Sequence, residues 1–128
     1  MDKKILVTAT ILGILSVILG AFAAHGLKEL VSEQAIQTFE TGVKYQMYHA
    51  LLLLFVGSTS YVKSAQKKMV LIFVVIGVIF FSGSIYGLST NTLTTFNFKT
   101  IALITPIGGL FLIVSWLVLL LNFLRLKK

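Results

Sequence analysis

The chain has two histidines, one of them preceded by a run of groups able to hydrogen-bond. His25 falls in Ala23-Ala24-His25-Gly26-Leu27, and His49 follows Tyr45-Gln46-Met47-Tyr48. Tyr45 and His49 are four residues apart and share a helix face. Tyr86, in Ser84-Ile85-Tyr86-Gly87, and Thr105, beside Pro106, supply further hydroxyls. Three kinds of chemistry suit this set. The first is an interfacial hydrogen-bond network that ties helices together, a layer where histidine and tyrosine are well tolerated. The second is a pocket for a lipid headgroup, a quinone or another amphipathic molecule, with His25, Tyr45, Gln46, His49, Tyr86 and Thr105 as its candidate residues. The third is haem or metal ligation by His25 and His49. Two imidazoles on separate helices can bind haem axially but supply only half a structural zinc site; an acid such as Glu40 could add to a metal site, though nothing in the spacing requires it.

Catalysis is a poorer fit. No serine sits in a nucleophile elbow, no phosphate-binding loop is present, and no carboxylate pair lies inside an apolar run. Acid–base work would fall to His25 or His49 alone. The expectation is a protein that is not an enzyme and has no resident cofactor. With no cysteine, the chain has no disulfide, no thiolate metal site and no cysteine nucleophile.

The elements that must position these groups follow from composition. The chain has 128 residues, 57% of them hydrophobic and 12% charged. A soluble domain runs at about 45–50% apolar and about 25% charged. Half the usual charge cannot cover a water-facing surface, so a soluble globule is excluded, as is a disordered tail. Ile5 to Ala24 is 20 residues without a charge. As a helix it covers about 30 Å, the thickness of the hydrocarbon core of a bilayer. Further runs extend over about 45–62, 69–88 and 101–124. The runs do not alternate polar and apolar, and backbone groups in lipid must be satisfied internally, so all four are predicted helices. The first imitates a signal peptide, with Lys3 and Lys4 before it and Ala21-Phe22-Ala23 near its end, but it is too long for a typical signal core. The whole chain, 1–128, is expected to form one transmembrane domain.

The linker between spans one and two is about 20 residues, long for a helix–helix connection. Ser32 is a good N-cap, and Glu33 suits a first turn. Ile36, Phe39, Val43, Gln46 or Met47, and Ala50 then recur at helical spacing. An interfacial amphipathic helix is predicted from Ser32, running into span two with Gly42 offering a bend. The fold class is therefore all-α, an integral membrane four-helix bundle with an interfacial amphipathic helix between spans one and two. Gly13, Ser16, Gly20 and Ala24 in span one, and Gly77, Gly83 and Gly87 in span three, are the predicted close-packing positions. Self-association through them is the less favoured use. Pro106 lacks an N–H and clashes with the Ala102 carbonyl, which predicts a kink in span four.

Basic residues separate by side. Lys3, Lys4, Lys63, Lys67, Lys68, Arg125, Lys127 and Lys128 make 8 on one side, and Lys28, Lys44 and Lys99 make 3 on the other. Asp2 reduces the first side to +7, while Glu29, Glu33 and Glu40 bring the other to zero. The positive-inside rule puts both termini in the cytoplasm, with the candidate polar groups gathered toward the outer leaflet. A basic stripe on a folded face is absent, so nucleic acid is not an expected partner.

The stretches Gly20-Ala21-Phe22-Ala23-Ala24-His25-Gly26-Leu27, Thr41-Gly42-Val43-Lys44-Tyr45-Gln46-Met47-Tyr48-His49-Ala50, Phe81-Ser82-Gly83-Ser84-Ile85-Tyr86 and Ile104-Thr105-Pro106-Ile107-Gly108-Gly109 resemble, in order, those of the YgdD/YwdK-like family of small bacterial inner-membrane proteins. One departure is Ala23, where the family often carries glycine. The resemblance implies a four-helix protein of the bacterial plasma membrane with His25, Tyr45, Gln46, His49, Ser82, Tyr86, Thr105 and Pro106 in motif positions. It implies no catalytic role. The leading functional expectation is the binding of a lipid-like or amphipathic molecule, or of a membrane partner, near the outer leaflet. A small transporter or channel, and a purely structural or assembly role, are the alternatives. All four acids lie outside the runs, which disfavours a proton-coupled carrier with a buried carboxylate. Membrane lipids, a second copy and another membrane protein are the candidate partners.

Because the chain lacks cysteine, single introduced thiols test the orientation cleanly. Lys127→Cys should react with a membrane-impermeant maleimide only after cells are broken, and Lys28→Cys should react on intact spheroplasts.

Overall fold

A computed structural model describes residues 2–91 and 103–127. Helix α1 (Asp2–Ala24) leads through a short 3-10 turn (Leu27–Glu29) to α2 (Glu33–Ser58). Then come α3 (Ser64–Val78), a π-helical turn (Ile79–Gly83), α4 (Ser84–Ser89) and α5 (Ile104–Leu124). No strand occurs among the described residues.

The stretches Asp2–Glu29, Ser64–Ser89 and Ile104–Leu124 are long and apolar enough to cross a membrane. Helix α2 is different because Glu33, Glu40 and Lys44 load its first half. Its path nevertheless follows α1 from end to end: Val43 lies against Gly20, and Gly57 lies against Ile5 and Leu6. An element antiparallel to a span over that length crosses the same layer, so the bundle has four crossing helices.

Ser32 caps α2 as its chemistry dictates, its Oγ accepting from the Ala35 N–H at 3.1 Å. Of the expected stripe, Phe39, Gln46 and Ala50 are buried, with Ile36 and Val43 half-buried. Phe39 joins Ala23 and Leu27 in a small outer core. A larger inner core is built on Ile5, Leu53, Val56, Val70, Val74 and Leu112. The polar helix and span two are one unbroken 26-residue helix ending at Ser58. Gly42 is not a bend. A Cβ there would lie 2.8 Å from Tyr86 Cε1 and 3.0 Å from Ile85 Cγ2, so the missing side chain admits α4.

Two packing expectations are corrected. The Gly13 and Gly83 positions face open space, so neither is a contact point. The expected tight approach is found at Gly77, against Leu112, and the others fall at Gly42, Gly57 and Gly108. Pro106 does not kink α5. The described helix begins at Ile104, which leaves Pro106 in the first turn, where N–H groups have no intrahelical acceptor to lose. Residues 101–102, at the expected start of span four, lie outside the described residues.

The π turn and Gly108 belong together. One extra residue in the turn pushes backbone toward α5. A Cβ on Gly108 would stand 2.3 Å from the Phe81 amide nitrogen, which is backbone and cannot swing aside. Gly108→Ala should therefore lower the melting temperature of the detergent-solubilised protein, by an overpacking cost of about 1–3 kcal/mol. Gly13→Ala should leave the melt unchanged or raised, since no atom lies within 4 Å.

Candidate functional site

Lipid supplies no hydrophobic force between helices, so packing and interhelical hydrogen bonds hold the bundle. The central such group is Gln46, 3% exposed. Its Nε2 donates to the Leu12 carbonyl of α1 at 2.9 Å, and its Oε1 accepts from the Tyr86 hydroxyl of α4 at 2.6 Å. One side chain thus joins three helices. The Leu12 carbonyl also accepts from Ser16 Oγ at 2.8 Å. One turn earlier on α2, the Gly42 carbonyl accepts from Ser82 Oγ at 2.7 Å. Ser82 is fully buried and comes from the π turn.

His49 lies one turn further along α2, 4% exposed. The register of α2 on α1 sets it opposite the middle of α1. Its Nδ1 lies 2.7 Å from the Tyr45 carbonyl, and its Nε2 lies 3.1 Å from Trp116 Nε1 on α5. Indole N–H only donates and a carbonyl only accepts. The imidazole must therefore be neutral, with its proton on Nδ1 donated to Tyr45 and Nε2 accepting from Trp116. Both ring nitrogens are committed. Beside them a cleft of about 310 Å³ opens between α2, the π turn and α5, lined by Tyr45, His49, Phe81, Gly109, Leu112, Ile113 and Trp116. Tyr45 is 41% exposed and stacks at a tilt on Phe81, 5.0 Å between ring centroids. Its hydroxyl has no hydrogen-bond partner among the described residues.

The six expected site residues therefore separate. Tyr45 and His49 share the cleft. Gln46 and Tyr86 bond to each other behind it. Thr105 pairs with Ser84, whose hydroxyl donates to the Phe81 carbonyl at 3.0 Å, so Thr105 donates to Ser84 Oγ. His25 is exposed at the end of α1. It lies about 20 Å along the helix from Leu12, at 1.5 Å per residue. The expected convergence of the two imidazoles does not occur, and with it goes their joint ligation of haem or metal. The expectation rested on a span two beginning at Tyr45, which set His49 near the surface. With the helix starting at Glu33, His49 falls at mid-depth.

The opposite end of the bundle is locked by polar side chains. Asn122 Oδ1 accepts from the Lys63 N–H at 3.1 Å, while Asn122 Nδ2 donates to the Tyr61 carbonyl at 2.8 Å. Lys67 Nζ lies 3.0 Å from Asp2 Oδ1. The chain start, the α2–α3 loop and the end of α5 thus gather at one end. Trp116 and Asn122 were absent from the expected set, yet both carry a sequence signal. Tryptophan favours span ends, so one inside a span needs an acceptor. An asparagine in an apolar run needs partners of its own.

A family model described as "Protein of unknown function (DUF423)" matches residues 19–109. The chain is similar to a UPF0382 membrane protein of Staphylococcus haemolyticus, 36% identical over 94% of each chain. It is similar to the UPF0382 membrane protein YwdK of Bacillus subtilis, 36% identical over 91% of this chain and 93% of the relative. The UPF0382 inner membrane protein YgdD of Escherichia coli is 30% identical over 99% of this chain and 94% of its own. No solved structure matches the chain.

The Gln46 bridge sets an order of stabilities. Gln46→Leu removes two interhelical bonds and Tyr86→Phe removes one, at about 0.6 kcal/mol each on average within membranes. Thermal melts in detergent should rank wild type above Tyr86→Phe and Tyr86→Phe above Gln46→Leu; the reverse order would discount the bridge.

Proposed function

The chain belongs to the DUF423 family, and we propose that this member binds a lipid-like amphipathic molecule within the bilayer, in the cleft between α2 and α5. The observation that carries the reading is the cleft itself. Its floor is apolar, its rim is aromatic, and Trp116 and Ile113 are 50% and 57% exposed where lipid would stand. His49 and Trp116 satisfy each other, so a ligand entering here strands no buried polar group. Tyr45 offers a hydroxyl without a partner among the described residues as a polar handle. Pockets of this kind, apolar with a few placed polar groups, are the ordinary form of small-molecule sites.

In this reading the site lies nearer the middle of the membrane than the outer leaflet, because the cleft flanks His49, midway along the bundle. A transport role draws less support. Leu51 to Val56 and Leu110 to Val114 offer no polar group along a crossing path. We assign the basic end of the bundle to the cytoplasm by the positive-inside rule. No reaction is assigned to the chain.

The chain has one tryptophan, and it stands on the cleft. Gly109→Leu extends a side chain from the cleft wall toward Phe81, whose ring lies 3.6 Å from where a Gly109 Cβ would be. Mass spectrometry of organic extracts should find an amphipathic species at near-stoichiometric amount with the purified wild type and not with Gly109→Leu. Returning that extract to delipidated wild type should shift Trp116 emission. Equal retention by both proteins, or an unmoved emission, would refute the cleft as a site.

A further inference from the structure

The cleft beside His49 does not end at Trp116. On the other side of the indole a second apolar groove of about 420 Å³ continues along α2 and α5, lined by Leu52, Phe55, Trp116, Leu119, Leu120 and Phe123. It runs toward the end of the bundle where Asn122 fastens the α2–α3 loop to α5. Two exposed cations, Lys63 and Arg125, each bond to this asparagine through their backbone N–H, to its Oδ1 and its carbonyl, with exposed Lys127 two residues beyond. Among the described residues the acid at this end is Asp2, and it is already held by Lys67. The corner is therefore positive and uncompensated.

We infer that this groove holds one anionic phospholipid, its phosphate at Lys63 and Arg125 and an acyl chain lying along Phe55, Leu119 and Leu120 to reach Trp116. The inference rests on the proposed lipid-binding reading and adds to it a second, anionic ligand whose groove meets the cleft at Trp116. Four features argue for this occupant over a second copy of the chain or a partner helix. A lipid alone joins a charge requirement at the surface to an apolar strip that starts directly beneath it. The strip from Arg125 to Trp116 is nine residues, about 14 Å at 1.5 Å per residue, which matches half of a hydrocarbon core of about 30 Å. A like chain docking there would bring its own lysines against these, which like-charge repulsion opposes. Tyr61, 64% exposed beside Lys63, sits at headgroup level, where aromatic rings with a polar tip are favoured.

Trp116 reads the tail end of this site, and Lys63 and Arg125 its head. In dodecyl maltoside micelles, phosphatidylglycerol with dibrominated chains should quench Trp116 at a several-fold lower mole fraction than dibrominated phosphatidylcholine. Raising the salt concentration should shrink the difference, since exposed charges are screened. The pair Lys63→Gln and Arg125→Gln should bring the two curves together, while Lys3→Gln with Lys4→Gln, on α1, should leave them apart. Superimposed curves for the wild type, or a preference that survives Lys63→Gln and Arg125→Gln, would overturn the inference. If quenching is then still saturable and lost in Gly109→Leu, the cleft reading stands and the anionic ligand of the groove does not. If it is not saturable with either lipid, both fail.

Discussion

A single buried amide holds the arrangement together. In a bilayer the tails of neighbouring lipids are as apolar as the leucines of a helix, so burial alone does not say which helix faces which. Gln46 does say so, because both ends of its side chain need partners and neither lipid nor water at that depth supplies them. It finds the Leu12 carbonyl on α1 and the Tyr86 hydroxyl on α4. Gly42, one turn away, lets α4 come close enough for that hydroxyl to reach. Remove either the amide or the close approach and α1, α2 and α4 lose their common reference. The cleft of Tyr45, His49, Phe81 and Trp116 follows from the same seating of α2: with Gln46 bonded to α1 and α4, His49, one turn on and about 60° around the helix, meets Trp116 of α5.

Much of this was legible in the residues. The four crossings follow from apolar run length, the α2 start from Ser32 and Glu33, and the buried stripe of α2 from the spacing of Ile36, Phe39, Val43, Gln46 and Ala50. What was not legible was register. Helical spacing puts Tyr45 and His49 on one face, but only the pairing of Gly57 with Ile5 and Leu6 gives their depth. Once α2 is a continuous helix from Glu33, His49 moves from the rim to the interior and leaves His25 behind. Small residues misled for a related reason. A stripe of glycines marks a surface able to approach closely, yet whether anything approaches depends on where the neighbour's backbone lies. Gly108 is essential to packing because the π turn bulges into it; Gly13 has no neighbour there.

Polar residues inside the spans sort by whether their needs are met within the fold. Ser16, Gln46, Ser82, Tyr86, Ser115 and Asn122 all are, through carbonyls or one another. His49 is as well, through the Tyr45 carbonyl and the Trp116 indole, which take up the imidazole that the sequence offered to a ligand. One buried acceptor is left over, Gln66 Oε1 in the first turn of α3; the other unspent groups are exposed, among them Tyr45 and the cations at one end.

The π turn carries a consequence for how α3 and α4 are compared across sequences. Each residue of an α-helix advances about 100° around the axis, so one added residue re-phases everything after it. Positions before Ile79 and after Gly83 therefore lie on two separate helical wheels, although the chain runs on without a break. Any alignment, design or deletion that treats 64–89 as one wheel will rotate Tyr86 away from Gln46 while leaving every residue type in place.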